Sequence, residues 1–330
     1  MPNSSHEQRN WVSISSGQIS AEIDPHGAQL SSLRDHAARD FLWNGDPAVW
    51  TGRAPLLFPI VGTLAGGSYR LGSESYALPR HGFARGKDFA VESADAHRAI
   101  FKLSADPSTL RVYPFRFELA VKFEVVARTL SVVTTVRNLG AEDMPASFGY
   151  HPAFRWPLPF GAPRASHSIE FDAEEPAPVR RLDAAGLLSP TPHSTPVENR
   201  ILKLADALFQ DDVLIFDQPA SRGVSYGAHL GPRLRIDFPD SRYLGIWTKP
   251  GAPFICIEPW QGYSDPQGFS GDFKQKPGIF IVRAGHERGV TMNITITDSS
   301  GRATAPPDPN QMTADVHQPA ASASARPPGG

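Results

Sequence analysis

The chain has 330 residues, of which 40% are hydrophobic and 20% charged, and its formal net charge is -2. This composition is typical of a soluble globular protein with a sizeable core, and the balanced charge argues against electrostatic binding to nucleic acid or to a membrane surface. No apolar run reaches the roughly 18 residues that a membrane-spanning helix needs. The polar first ten residues and the single cysteine, Cys256, favour a cytoplasmic protein without disulfides.

Alternating apolar and polar residues predict the strands along the chain. The pattern first appears at residues 19–23 and is much longer at residues 115–125. It returns after a turn at residues 127–128, over residues 130–136, and appears again at residues 290–296. A period of two is the signature of a strand with one buried face, so each segment is predicted to be a half-buried strand.

Helical spacing is scarce, and residues 201–209 are predicted to form at most a short helical turn. The 32 prolines and 28 glycines divide the strands with turns and loops. Many strands joined in this way predict an all-β fold. We expect a large antiparallel β-sandwich or a barrel rather than a parallel α/β sheet.

The domain organisation follows from composition. No change of composition marks a linker before residue 300, which predicts one domain over residues 11–300 behind a flexible N-terminus at residues 1–10. Residues 301–330 contain no aromatic residue, leucine or isoleucine. Such a segment cannot bury enough apolar surface to offset the entropy lost on ordering, so it is predicted to be a disordered tail.

His151 lies in a run of aromatic, glycine and proline residues at 147–157. Pro152 disfavours helix at His151 and favours an extended backbone. Neighbouring rings such as Tyr150 can shield the imidazole from bulk water, and histidine titrates near neutrality. One interpretation is therefore a proton donor in a partly dry cleft. The other is a core histidine whose ring is satisfied by a backbone carbonyl.

Glu258 ends the apolar run at residues 254–257. Burying an ionised carboxylate is unfavourable unless it is paired, and burial raises its pKa. Both effects favour a general base that works near neutral pH. A structural glutamate paired with an arginine explains the same pattern, so both interpretations stay open. Trp260, two residues further on, can stack on a sugar face or simply wall a site.

Further candidates lie on glycine- and proline-rich stretches. Arg53 lies in residues 52–59, and both His81 and Arg85 lie in residues 78–86. These side chains suit a substrate site. A turn histidine and arginines in structural ion pairs are equally consistent with the residues alone.

Two other constellations compete with an acid–base pair. His81, His151 and Glu258 offer ligands for an iron site, but such sites usually take two ligands from nearby positions, and these three are widely scattered. Asp211, Asp212 and Glu258 offer carboxylates for glycoside hydrolysis, although only Glu258 has a site-like context. We therefore expect no metal site and hold glycoside hydrolysis as the weaker alternative.

Four segments together resemble the aldose 1-epimerase (galactose mutarotase-like) family. The resemblance covers roughly residues 15–298 and is carried, in chain order, by residues 53–59, 81–85, 149–154 and 258–260, with 211–216 as a weaker fifth segment. Four segments in this order form a specific signal.

The resemblance implies a β-supersandwich with a cleft across one sheet, and interconversion of sugar anomers without a cofactor. It assigns the general base to Glu258 and the general acid to His151. The candidate substrate contacts are His81, Arg53, Arg85 and Asp212, together with the aromatic residues Tyr150 and Trp260.

Opening a pyranose ring requires loss of the anomeric hydroxyl proton and gain of a proton at the ring oxygen. A carboxylate and an imidazolium supply both, and each positioned group contributes roughly 10²- to 10⁴-fold. The segments around His151 and Glu258 look closer to a divergent branch of the family that includes hexose-6-phosphate 1-epimerases. In that branch clustered arginines can bind a phosphate, and the resemblance implies that Arg53 and Arg85 can do so in this chain.

The alternatives are therefore a hexose-6-phosphate 1-epimerase and a non-catalytic carbohydrate-binding protein on the same fold. The expected partner is a small-molecule sugar, with no nucleic acid and no membrane, and the chain is expected to be a monomer or a weak homodimer.

Overall fold

The computed structural model describes residues 10–297. The predicted flexible N-terminus at 1–10, apart from residue 10, and the predicted tail at 301–330 lie outside the described residues. The domain boundaries at residues 11 and 300 therefore stay predictions.

The described residues form 22 strands. The first eleven are β1 (Val12–Ser15), β2 (Ile19–Asp24), β3 (Gln29–Asp35), β4 (Leu56–Leu57), β5 (Ser68–Leu71), β6 (Glu74–Ala77), β7 (Ala90–Ala94), β8 (Arg98–Ser104), β9 (Phe117–Val126), β10 (Thr129–Asn138) and β11 (Met144–Ala146). The others are β12 (Phe148–Tyr150), β13 (Ala153–Arg155), β14 (His167–Phe171), β15 (Ile201–Lys203), β16 (Leu214–Phe216), β17 (Gly223–Ala228), β18 (Leu234–Asp237), β19 (Tyr243–Trp247), β20 (Phe254–Gln261), β21 (Phe280–Val282) and β22 (Glu287–Ile296).

Helical structure within residues 10–297 is limited to one short α-helix and five 3₁₀ turns. They are α1 (Pro107–Leu110) and the turns Ala65–Gly67, Ala84–Gly86, Arg164–Ser166, Asp206–Phe209 and Phe273–Gln275. The predicted helical turn at 201–209 is therefore partly strand, since β15 occupies its first three residues. None of the helices in this part of the chain has the length and apolar character needed to cross a membrane.

The largest sheet has nine strands in the order β15-β14-β17-β18-β22-β10-β9-β8-β7. Its centre is the hairpin of β9 and β10, which pairs with β22 on the far side of β10. Residues along β9 and β10 alternate between buried and partly buried. The period of two in the sequence therefore reflects one face packed on the core and one face near solvent.

A second sheet carries β16, β19, β20, β12 and β4, with β13 also paired to β20. It packs face to face on the nine-stranded sheet, and Tyr150 on β12 spans the interface. The Tyr150 hydroxyl donates to the carbonyl oxygen of Val290 on β22 at 2.8 Å and lies 3.1 Å from that of Val132 on β10. The strand pairings within both sheets are antiparallel, which confirms the predicted large antiparallel β-sandwich.

The strand β20 differs from the others because all eight of its residues are buried. Ile255 and Ile257 face the main core between the two sheets. Cys256 and Trp260 belong to two smaller apolar clusters, and they share with Glu258 the opposite face of the sheet. Loops cover that outer face, and the candidate site lies beneath them.

Candidate active site

A cleft of about 380 Å³ lies on the outer face of the second sheet. This volume falls within the range of small-molecule sites and is large enough to hold one pyranose. The polar and aromatic side chains that line it and carry the argument are Trp50, Arg80, His81, Arg85, His151, Asp212, Trp247, Glu258 and Trp260.

Glu258 lies at the floor of the cleft and is only 1% exposed. The strand alternation of β20 turns its carboxyl group away from the core and towards the cleft. Burial is the main cause that raises the pKa of Glu258 well above its usual range, and Asp212 adds to it while Arg80 opposes it. The sequence expectation of a buried carboxyl group with a raised pKa agrees with this placement.

His151 lies between β12 and β13 and meets Glu258 directly. Its Nε2 atom is 3.2 Å from Oε2 of Glu258. Burial lowers the pKa of His151 to about 3, and the nearby Arg80 and Arg85 act in the same direction. Because burial disfavours the charged form of each partner, the two groups together hold one proton over a wide pH range.

His81 lies beside this pair, with its ring centroid 5.9 Å from that of His151. Its Nδ1 accepts the backbone N–H of Gly62 at 3.1 Å, which leaves the proton of a neutral ring on Nε2. Arg80 Nε lies 3.2 Å from the same Nε2. A neutral imidazole cannot accept a hydrogen bond at both nitrogens. Because the Gly62 N–H is buried and cannot hydrogen-bond to bulk water instead, we assign the accepted hydrogen bond to Nδ1.

Burial lowers the pKa of His81 well below its usual value, and the neighbouring His151, Arg80 and Arg85 lower it further. His81 is therefore a neutral hydrogen-bond donor at working pH, suited to a sugar oxygen rather than to proton transfer.

The rim of the cleft is cationic. Arg80 Nη2 lies 3.9 Å from Oδ2 of Asp212, and the Arg85 guanidinium donates to the carbonyl oxygen of Arg80 at 2.8 Å. Burial, together with repulsion from Arg80, lowers the pKa of Arg85. Two guanidinium groups therefore share the rim with one carboxylate.

Residues 11–276 match the family described as aldose 1-epimerase. The chain belongs to the aldose 1-epimerase family. It is 31% identical over 281 residues to the LacX proteins of Lactococcus lactis subsp. lactis, a match that covers 82% of this chain and 94% of the relative. The resemblance found in the sequence is thereby confirmed.

Solved structures agree with this membership of the aldose 1-epimerase family. A galactose mutarotase related enzyme from Lactobacillus acidophilus has a TM-score of 0.80 at 28% identity, with 88% of this chain and 98% of that chain covered. A galactose mutarotase-like protein from Lactobacillus casei has a TM-score of 0.81 at 28% identity, with 87% and 100% covered.

In this member of the aldose 1-epimerase family, the structure brings most of the predicted site residues into one cleft. They are Glu258, His151, His81, Arg85, Asp212 and Trp260.

Two predicted substrate contacts are corrected. Tyr150 neighbours His151 in an extended segment, so its side chain points the opposite way, into the core, where its hydroxyl is used by β10 and β22. Arg53 does not line the cleft. Its Nη1 donates to the carbonyl oxygen of Ser31 at 2.8 Å, and its guanidinium lies over the ring of Trp11.

Sequence reasoning missed two tryptophans that surround the imidazole. Trp50 stacks on His151 with ring centroids 5.2 Å apart and an interplanar angle of 29°, and Trp247 meets it edge-on at 6.0 Å. Trp43 donates its indole N–H to the backbone carbonyl of Trp50 at 2.8 Å and so fixes this loop. Gly52 allows the Trp50 ring to pack closely on the loop, since a Cβ at this position would lie 2.4 Å from that ring.

Proposed function

We propose that this protein is an aldose 1-epimerase that interconverts the α and β anomers of a hexose by general acid–base ring opening and closure. The observation that carries the proposal is the 3.2 Å contact between His151 Nε2 and Glu258 Oε2 in a cleft of sugar size.

The adjacency of the two groups suits the reaction because both reacting oxygens are bonded to the anomeric carbon. The anomeric hydroxyl loses its proton to the Glu258 carboxylate while the ring oxygen takes a proton from His151. The bond between the anomeric carbon and the ring oxygen then breaks and leaves an aldehyde. Rotation about the C1–C2 bond presents the other carbonyl face, and the same two proton transfers in reverse close the ring.

The single proton that His151 and Glu258 hold together is the number that ring opening and closure require. Burial favours the uncharged resting form, in which Glu258 carries the shared proton. Transfer of that proton to His151 gives the carboxylate and the imidazolium that ring opening requires. Trp50 stabilises the imidazolium, since the face of an indole ring attracts a cation within about 6 Å.

The proposal is tested by dissolving α-glucose and α-galactose freshly in buffer and following anomer exchange by NMR. Exchange faster than in buffer alone supports the enzyme. Binding without faster exchange supports the alternative of a non-catalytic carbohydrate-binding protein. Release of the aglycone from a chromogenic glycoside identifies a glycosidase instead.

The rate of exchange is expected to stay constant as the pH is lowered from about 6 to about 4. The pair loses its base only when it takes up a second proton, and the lowered pKa of His151, about 3, sets that step. A profile of kcat/KM against pH, with folding followed by circular dichroism, checks this. An acid limb centred near the ordinary glutamate pKa of about 4.3 would contradict it.

A second candidate substrate is a phosphorylated hexose, and the crowded guanidinium groups of Arg80 and Arg85 favour it. Of the two carboxyl groups that line the cleft, Asp212 forms the ion pair with Arg80, at 3.9 Å, while Glu258 lies buried at the floor. A phosphate would accept charge-assisted hydrogen bonds there and relieve the repulsion between the arginines.

Replacing Arg85 distinguishes the two substrates. If the substrate is a hexose 6-phosphate, Arg85→Ala should raise its KM roughly ten- to hundredfold and change the KM of the unphosphorylated sugar far less. Arg98→Ala is the matched control, because Arg98 on β8 is exposed and paired with Asp95 at 3.6 Å, away from the cleft. Equal effects on both sugars would reject phosphate binding by Arg85.

The location, the partner and the assembly of the protein are proposed from the sequence. We place the protein in the cytoplasm, with a small-molecule sugar as its partner and a monomer or weak homodimer as its assembly.

A further inference from the structure

Cys256 lies next to the His151–Glu258 pair and has no part in the proposed reaction. It precedes Glu258 by two residues in β20, so both side chains lie on the same face of the sheet. One ligand atom from each of His151, Cys256 and Glu258 can be chosen so that the three lie within 4.8 Å of one another, and all three residues are buried. Burial raises the pKa of the thiol well above its usual range, which argues against a nucleophilic cysteine.

Two polar atoms of this cluster are incompletely satisfied. Among residues 10–297, Nδ1 of His151 has no hydrogen-bond partner, and the 3.2 Å contact with Nε2 of His151 leaves Oε2 of Glu258 without a well-aligned hydrogen bond. His151 is 8% exposed and Glu258 1% exposed, so these atoms have little access to bulk water. Buried polar atoms without partners are rare in folded proteins, and a bound ion is one of the explanations for them.

The donor set is that of a zinc ion. Thiolate, imidazole and carboxylate bind Zn²⁺ at about 2.0–2.3 Å, and three protein ligands would leave a fourth position of the tetrahedron open. Ligand atoms in such a tetrahedron are about 3–4 Å apart, so the cluster must contract by about 1 Å. Magnesium and calcium prefer oxygen ligands only, and they suit this cluster poorly.

We propose that His151, Cys256 and Glu258 form a zinc-binding site that inhibits the protein by occupying its acid–base pair. Zinc bound there would occupy the carboxylate oxygen with which Glu258 accepts a proton and the ring nitrogen that carries the proton delivered by His151. The metal-free protein is then the active form, and zinc competes with the sugar. The inhibition rests on the proposed function, whereas the binding of zinc does not.

Binding is tested on the full-length protein with Co²⁺ as the spectroscopic probe for zinc. We expect visible bands of a four-coordinate Co²⁺ ion and a near-ultraviolet band from thiolate to metal, both displaced by Zn²⁺. Cys256→Ser and Cys256→Ala should remove the thiolate band and weaken metal binding at least roughly tenfold. His26→Ala is the control, because His26 is an exposed histidine beside Asp88 and offers a place for adventitious binding.

Inhibition is tested by anomer exchange with and without Zn²⁺. Zinc should slow the wild-type protein, while both cysteine variants should keep the basal rate and require at least roughly tenfold more zinc for the same inhibition. Thermal unfolding identifies a variant that fails to fold, and the other then carries the test. A missing thiolate band, or zinc binding that is unchanged in both cysteine variants, would overturn the site even if exchange is fast. A thiolate band in a protein without exchange activity would overturn the proposed function and leave the site standing.

Discussion

The Glu258→Gln variant is expected to exchange hexose anomers roughly 10²- to 10⁴-fold more slowly than the wild-type protein. The amide keeps the size of the side chain and its place in β20, but it cannot accept the proton of the anomeric hydroxyl. It also cannot pass a proton to His151 across the 3.2 Å contact. Anomer exchange measured by NMR checks the rate, and full retention of activity would reject Glu258 as the base.

The Glu258→Gln variant should lose this activity without losing stability. The pKa of Glu258 is raised in the folded protein, so ionising this carboxyl group weakens folding at pH values above its unfolded pKa. A neutral glutamine removes that cost. The melting temperature of Glu258→Gln at pH 7 should therefore equal or exceed that of the wild-type protein, and a marked decrease would contradict this account of the buried carboxyl group.

Glu175→Gln is the matched control for this substitution. Glu175 is also buried, but its carboxyl oxygens accept the backbone N–H groups of Ala220 at 2.9 Å and Ser221 at 2.8 Å. An amide supplies one acceptor oxygen where two are needed, so one N–H loses its partner at a cost of about 1–3 kcal/mol. The control should therefore lose stability and keep its exchange rate, the opposite of the result at Glu258.

The sequence predicted the strands of the nine-stranded sheet well because that sheet has one buried face. The alternation over residues 115–125 and 130–136 records the pleat of β9 and β10 directly. The strand β20 shows no such alternation, since the core buries one of its faces and the loops over the cleft bury the other. Glu258 in that continuous apolar run nevertheless indicated a functional site, because burying an unpaired charge there does not stabilise the fold.

The errors in the predicted site have a common cause. Short motifs show which residues are close in sequence, but not the side of the sheet to which each side chain points. Tyr150 was assigned to the site because it adjoins His151, and in an extended segment adjacent residues face opposite ways. Trp50 and Trp247 come from a loop and a strand without a motif, so only the folded chain shows that both surround the imidazole.

The Lys276→Met variant is expected to lower the free energy of unfolding by about 3–5 kcal/mol. The Lys276 side chain is fully buried, its Nζ lies 3.0 Å from Oδ1 of Asp265, and it donates to the carbonyl oxygen of Tyr263 at 2.6 Å. Methionine fills a similar volume but leaves the Asp265 carboxylate buried without its cation. Equilibrium unfolding in urea measures the change, and a loss below about 1 kcal/mol would contradict the buried ion pair.

Lys203→Met is the matched control, because Lys203 forms an exposed ion pair with Glu198 at 2.7 Å. Exposed pairs contribute about 0–1 kcal/mol, so the same substitution there should be nearly neutral. The comparison isolates the effect of burial from the chemistry of replacing lysine by methionine.

The effect of Lys276→Met should reach the candidate active site through the segment whose backbone is hydrogen-bonded to Asp265. The Asp265 carboxylate accepts the backbone N–H of Ala65 at 2.8 Å, and its own N–H donates to the carbonyl oxygen of Thr63 at 2.9 Å. These contacts fix the segment that contains Gly62, whose N–H sets the tautomer of His81. If the segment loosens, His81 loses its fixed donor, and the KM for the sugar should rise more than kcat falls. Steady-state exchange kinetics of the folded variant separate this result from a general loss of active protein, which would lower the apparent kcat and leave KM unchanged.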